Sequence, residues 1–249
     1  MLADDSFGNY SKSMSWRTHP LTVSLRNVGR AARINRLVAP FLTSSGYEAA
    51  FEESVLRQIQ QDDYVWDVGA NVGLYTVKFA SKIGDKGTVL AFEPSVANRT
   101  RLVDAVADLR NVVVVPLALG DRDAMMKFAQ GCDPLGATSR ILDVARNGVA
   151  AITEVRVARA DSLIATNTVP LPNVVKIDTE GFELDVLCGF GDVIRSPQLR
   201  ALFIEVHFGI LRARGLADGP QRIERLLSEA EFDCRWTDPS HLVAARPAR

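Results

Sequence analysis

A single α/β domain built on a parallel sheet, with a helical extension ahead of it, is the fold class that the sequence predicts. Three observations predict it. Short β-branched and apolar runs alternate with amphipathic stretches of about 10–15 residues, the rhythm of βαβ units. The first run ends in a glycine turn, Gly69-Ala70-Asn71-Val72-Gly73, and the second in an acid, Glu93, 20 residues beyond Gly73. The apolar runs stay short. The longest, 112–119, is eight residues and contains Pro116, whereas a membrane span needs about 20.

Composition fits that class. The 249 residues are 47% hydrophobic and 24% charged, enough apolar side chain for a sizeable core and too much for a disordered chain. The net charge is −1, so no overall positive field draws in nucleic acid. Cys132, Cys188 and Cys234 form no C-x-x-C pair. Reduced thiols in a soluble cytoplasmic protein are therefore expected, not a disulfide or zinc framework. No charged region leads into a long apolar stretch at the N-terminus, so no signal peptide is expected.

Residues 1–20 read as a polar tail. Between 6 and 47 there is no Asp or Glu, while Lys12, Arg17, Arg26, Arg30, Arg33 and Arg36 fall there. Leu21, Leu25 and Val28 recur at helical spacing, with Arg26, Arg30 and Arg33 on another face. An ordinary helix with a solvated arginine face accounts for this, and so does a basic segment touching a membrane surface or an anionic substrate. The stretch 48–61 carries Phe51, Val55, Leu56 and Ile59 to one side of a helix.

The alternation then begins. Strands are predicted at 64–68, 88–92 and 112–115, and helices at 74–83 and 95–109, the latter capped by Ser95. The rhythm breaks between 120 and 172. Extra strands are predicted at 125–129 and 155–158, separated by a long loop at 131–151 that holds Gly131, Pro134, Gly136 and Gly148. Such a loop in a compact domain is usually functional. The order resumes with strands at 174–177 and 201–206, helices at 182–190 and 221–230, and a closing strand pair near 232–236 and 241–245.

A glycine turn joining a strand to a helix lets a ligand approach the backbone closely, with helix N–H groups facing it. An acid about 20 residues further on is placed to bind both ribose hydroxyls of a nucleoside. Dinucleotide folds carry glycine in the middle of the turn to clear the pyrophosphate, where this chain has Asn71. Asp67 would add an anion beside that pyrophosphate. A donor with a cationic ammonium and no phosphate suits Asp67 better, and S-adenosyl-L-methionine is such a donor.

Four blocks carry a family resemblance: Asp67-Val-Gly-Ala-Asn-Val-Gly-Leu-Tyr-Thr76, Ala91-Phe-Glu-Pro94, Lys176-Ile-Asp-Thr-Glu-Gly-Phe-Glu183 and Ile204-Glu-Val-His207. In type and order they resemble the FkbM family of S-adenosylmethionine-dependent methyltransferases over roughly 54–208. The resemblance implies a class I methyltransferase (Rossmann-like) fold, a seven-stranded mostly parallel sheet flanked by helices. Residues 1–47 would be the tail and helical extension, and 48–249 the methyltransferase domain. It also implies O-methylation of a hydroxyl on a sugar, polyketide or other secondary metabolite. Carried over by position, Asp67, Gly69, Ala70, Asn71 and Gly73 form the wall around the methionine part, Glu93 and Pro94 the ribose site, and Ala118, Leu119 or Asp121 the adenine site.

The residues for chemistry fall at two further strand ends, where ligands of open parallel sheets bind. Lys176, Asp178 and Glu180 lie at one, and Glu205 and His207 at the next. By intrinsic pKa His207 is the expected general base. Alternatively Asp178, Glu205 and His207 could hold Mg²⁺ and lower the pKa of the acceptor hydroxyl. Lys176 could instead simply partner an acid, and Glu180 and Glu183 could simply complement a helix dipole. His19 and His241 read as incidental. The alternatives to a methyltransferase are an NAD-dependent oxidoreductase and a non-catalytic binding module acting through the basic segment. The expected partner is a small hydroxylated acceptor, not nucleic acid, with no membrane span and at most a peripheral membrane contact.

Overall fold

The computed structural model describes residues 45–129, 140–142 and 152–247. The basic segment at 26–36 and most of the 131–151 stretch lie outside those residues. Helix α1 (Ser45–Gln58) leads into β1 (Tyr64–Val68), α2 (Leu74–Ile83), β2 (Thr88–Phe92), α3 (Val96–Ala105) and β3 (Val112–Val115). Four strands follow, β4 (Ala118–Leu119), β5 (Ala124–Ala129), β6 (Arg140–Leu142) and β7 (Ile152–Ala158), and then α4 (Ala160–Ala165). The chain continues through β8 (Val174–Ile177), α5 (Glu183–Gly189), a 3₁₀ turn at Gly191–Arg195 and β9 (Ala201–Glu205). It closes with α6 (Phe208–Ala213), α7 (Gly219–Glu229), β10 (Asp233–Trp236) and β11 (His241–Ala245).

Seven strands form the main sheet in the order β10-β11-β9-β8-β1-β2-β3. The pairs from β9 through β8, β1 and β2 to β3 are parallel, and β11 runs antiparallel to both of its neighbours. Six strands thus share one direction, as the resemblance implies. The central strands are buried on both faces and accordingly carry continuous apolar runs. On one face, Phe51 and Val55 of α1 and Ile59 just after it join Val65, Phe79, Ile83, Val89 and Phe203 in a core cluster. On the other, Trp66 lies between Phe92 and Phe190, with ring centroids 5.0 and 5.7 Å away.

The expected capping signal holds at the start of α3. Ser95 caps α3, its hydroxyl accepting from the Asn98 amide at 3.3 Å. Helix α3 is shorter than expected, because after Ala105 the chain turns, with the Leu109 amide on the Val106 carbonyl at 2.9 Å. The six-residue helices α4 and α6 have no counterpart in the predicted pattern, being too short for an apolar period to register. The break in the alternation is a second sheet, ordered β4-β7-β5-β6, of which β5 and β7 were expected. Its β6 falls inside the stretch read as loop, and pairs antiparallel with β5. Cys188 and Cys234 are free thiols. Among the described residues no helix is long and apolar enough to cross a membrane.

Candidate active site

From β1 the chain steps to β2 and β3 on one side, then returns to β8 and β9 on the other. The carboxyl ends of β1 and β8 therefore flank a topological switch point, the place where open parallel sheets bind ligands. A cleft of about 290 Å³ opens there. Gly69 and Asn71 line its floor, with Glu93, Pro94 and Asn98 on one side. Ala118, Leu119, Phe128 and Ile141, from or beside the second sheet, form an apolar wall. Asp178, Thr179, Glu180, Glu205 and His207 line the opposite end.

The floor requires glycine. Gly69 has φ +82°, and a Cβ there would lie 1.9 Å from the backbone oxygen of Asp178, so the loops after β1 and β8 touch only because no side chain intervenes. Asn71, also left-handed at φ 52°, turns its amide onto Glu93 Oε2 at 2.8 Å. The Ser95 amide donates to the other oxygen at 2.8 Å. Burial pushes the Glu93 carboxyl up to about 7 against these two donors. Two polar atoms of cleft-lining residues, Asn71 Oδ1 and Thr179 Oγ1, are buried without a hydrogen-bond partner, an arrangement costly unless a ligand or water completes it.

Asp67 does not face the cleft. Its side chain is fully buried, accepts from Thr76 Oγ1 at 2.6 Å and lies 3.7 Å from Lys176 Nζ. Parallel pairing of β1 with β8 sets Asp67 opposite Lys176. Asp67 was expected to grip the ammonium of a donor, and Lys176 either to serve the chemistry or to partner an acid; in the fold each is the other's neighbour. Lys176 donates onward to Asp178 Oδ2 at 3.3 Å, and its ammonium lies 4.6 Å from the centre of the Tyr75 ring. Burial opposes its charge, but Asp178 and Asp67 outweigh that and hold the ammonium above the ordinary lysine range. Burial raises the Asp67 carboxyl, Lys176 and Thr76 working against the shift.

At the far end His207 is ringed by acids. Its Nδ1 lies 2.9 Å from Glu183 Oε1, and its Nε2 is 3.5 Å from Glu180 and 3.9 Å from both Asp178 and Glu205. Burial lowers its pKa, but the bond to Glu183 and the charges of Glu183, Glu180 and Asp178 outweigh that and raise it to about 10. The surrounding carboxylates favour the charged imidazole, so the resting site sets His207 to hold a proton, where the sequence led us to expect a base. Glu180 is raised to about 7, first by burial, then by Asp178 and Glu205, with His207 opposing. Glu180 is the group here whose proton affinity suits a base at neutral pH.

The expected Asp178–Glu205–His207 metal triad is also corrected. The converging ligand atoms, within 4.8 Å of one another, belong to Asp178, Glu180 and His207.

A family model, the Methyltransferase FkbM domain, matches residues 67–234. The chain belongs to the FkbM methyltransferase family. Hexuronic acid methyltransferase AglP of Haloferax volcanii is 31% identical over 183 residues, 74% of this chain and 69% of that protein. Two solved structures share the fold at a TM-score of 0.50. One, from Streptococcus mutans, assigned as a methyltransferase and in complex with S-adenosylhomocysteine, is 9% identical and matches 80% of this chain and 97% of its own. The other, from Clostridium thermocellum and assigned as an rRNA methylase, is 12% identical, with 82% and 97% covered.

This FkbM methyltransferase is an enzyme, which sets aside both the oxidoreductase and the non-catalytic module. Of the residues its sequence singles out around the donor, Gly69, Asn71, Glu93, Pro94, Ala118 and Leu119 line the cleft. Ala70 is packed on Ala91, Leu102 and Val106. Gly73, at φ +91°, caps α2, with space for a Cβ closed by Leu102 at 2.7 Å. Asp121 stands off the cleft in an ion pair with Arg122 at 2.8 Å. Phe128 and Ile141, from strands that carry no motif, also line the cleft, and His241, which read as incidental, lies 3.6 Å from Glu205. Asn98, which also lines the cleft, had a findable signal, one helical turn beyond the Ser95 cap on the helix that opens beside Glu93.

Proposed function

We propose that this methyltransferase transfers the methyl group of S-adenosyl-L-methionine to a hydroxyl of a small sugar-bearing or otherwise polyhydroxylated acceptor. The observation that carries the reading is one cleft with Glu93 at one end and Glu180, beside a protonated His207, at the other. Glu93 accepts from the ribose hydroxyls of the donor. Asn71 Oδ1 accepts from its ammonium, and Thr179 Oγ1 donates to its carboxylate. Ala118, Leu119 and Phe128 cover the adenine. Residues 48–249 form the catalytic domain, 1–47 an extension, and the protein works in the cytoplasm.

In the reaction the acceptor oxygen attacks the methyl carbon, the carbon–sulfur bond breaks, and the sulfonium becomes a neutral thioether. Glu180 takes the hydroxyl proton. His207, held at Nδ1 by Glu183, keeps the carboxylate of Glu180 turned into the cleft. Most of the rate comes from holding the oxygen at near-attack distance. The similarity to a protein that methylates a hexuronic acid favours a sugar acceptor.

Thermal stabilisation by S-adenosylhomocysteine but not NADH, with labelled methyl transfer to at least one of a hexuronic acid glycoside, a neutral glycoside and a polyketide, is the expected result. No stabilisation and no transfer to any of the three would overturn the reading. The pH profile tests the base. Glu180 is competent only when ionised, so kcat rises as pH increases through about 7. It falls again near 10, where His207 loses its charge. These are macroscopic values of the coupled pair. A profile flat from pH 5 to 9 would remove Glu180 from the role.

A further inference from the structure

We infer that His241 is a positioning residue for methyl transfer, clamped by Asp238 and acting through Glu205. The inference rests on the reading that the acid cluster is the acceptor end of the cleft.

His241 opens β11, and the antiparallel register sets it directly opposite Glu205 of β9. Three contacts fix its ring. Nδ1 lies 2.7 Å from Asp238 Oδ2. The ring centroid is 4.1 Å from that of Phe51, at an interplanar angle of 37°. Nε2 then points at Glu205 Oε2, 3.6 Å away. Asp238 is itself held: it is 6% exposed, and its Oδ1 accepts from the backbone amides of Ser240 and His241 at 2.8 and 3.1 Å. The turn between the last two strands is thus built around one carboxylate whose second oxygen aims an imidazole.

Glu205 needs such a holder. It lines the cleft, with one oxygen toward His241 and the other 3.9 Å from His207 Nε2. Without His241 its side chain is free to swing onto His207 and compete with Glu180 for that cation. The site is then two parallel units, Glu183–His207–Glu180 and Asp238–His241–Glu205, each an acid orienting a histidine that orients a second acid at the cleft. Orientation at this level matters, because a misplacement of about 1 Å near reacting groups can cost about 100-fold in rate.

The test is a double-mutant cycle on the full chain, using labelled S-adenosylmethionine and the acceptor that wild type methylates fastest among the three named above. His241→Phe should lower kcat about 10–100-fold while the affinity for S-adenosylhomocysteine changes less than about twofold. His241→Gln, which keeps one N–H donor, should recover part of the loss. In a Glu205→Gln background the further effect of His241→Phe should shrink to less than about threefold, since coupled residues are not additive. Equal effects of His241→Phe in the two backgrounds would overturn the inference, as would wild-type kcat in either His241→Phe or Glu205→Gln. If His241→Phe does not fold, Asp238→Asn replaces it in the same cycle with the same criteria. Failure of wild type to methylate any acceptor overturns the function itself, and is distinguishable from failure of the cycle in an active enzyme.

Discussion

Glu180→Gln is expected to lower kcat by about 10²–10⁴-fold, the range for removing a general base, with the affinity for S-adenosylhomocysteine nearly unchanged. The substitution keeps shape and removes only the ability to take a proton. Glu180 lines the end of the cleft away from Glu93, so the donor loses no contact. A purely structural role would lower stability and leave the pH profile in place. A catalytic role removes the limb near pH 7 from the profile of the variant. Stopped assays with labelled donor across pH 5–9 read both, and a variant within threefold of wild-type kcat would sink the assignment.

Lys176→Met is expected to destabilise the fold by about 3–5 kcal/mol, the cost of leaving a buried charge without its partner. Lys176 is 4% exposed and Asp67 fully buried, so water cannot replace the ammonium. The Asp67 Oδ1 oxygen has no hydrogen-bond donor, and Lys176 Nζ at 3.7 Å is its counter-charge. Urea unfolding at pH 7 measures the loss. The deficit should shrink as pH falls, because burial already raises the Asp67 carboxyl and a protonated Asp67 needs no counter-ion. Asp67→Asn in the Lys176→Met background should recover part of it, since removing both charges costs less than orphaning one. A single variant as stable as wild type would show that the pair is dispensable.

These two residues mark how far local patterns reach. Strand and helix positions were legible because buried parallel strands need continuous apolar runs and their helices need an apolar stripe. Glu93 was legible for a related reason: one βα unit fixes the distance from the glycine turn to the end of the next strand, so the acid and the turn meet whatever surrounds them. Asp67 was located, but its partner was not. Strand alternation says which residues share a face, not what lies beside them, and the neighbour of Asp67 is Lys176, more than a hundred residues away.

The protonation of the site shows the same limit more sharply. An imidazole alone reads as a base near neutral pH. The fold pushes His207 toward the charged form because α5, β8 and β9 bring Glu183, Glu180, Asp178 and Glu205 around it, while burial raises Glu180 to about 7. His241 read as incidental because no motif contains it, yet the antiparallel register puts it across from Glu205.

Periodicity and motif spacing, which are properties of contiguous chain, were sufficient for the sheet, the family and the meeting of Glu93 with the glycine turn. The opposed shifts of Glu180 and His207, the partner of Asp67 and the apolar wall from the second sheet came only with the folded chain. Electrostatic energies depend on distance through space and on exclusion of water, and neither quantity is written along a strand.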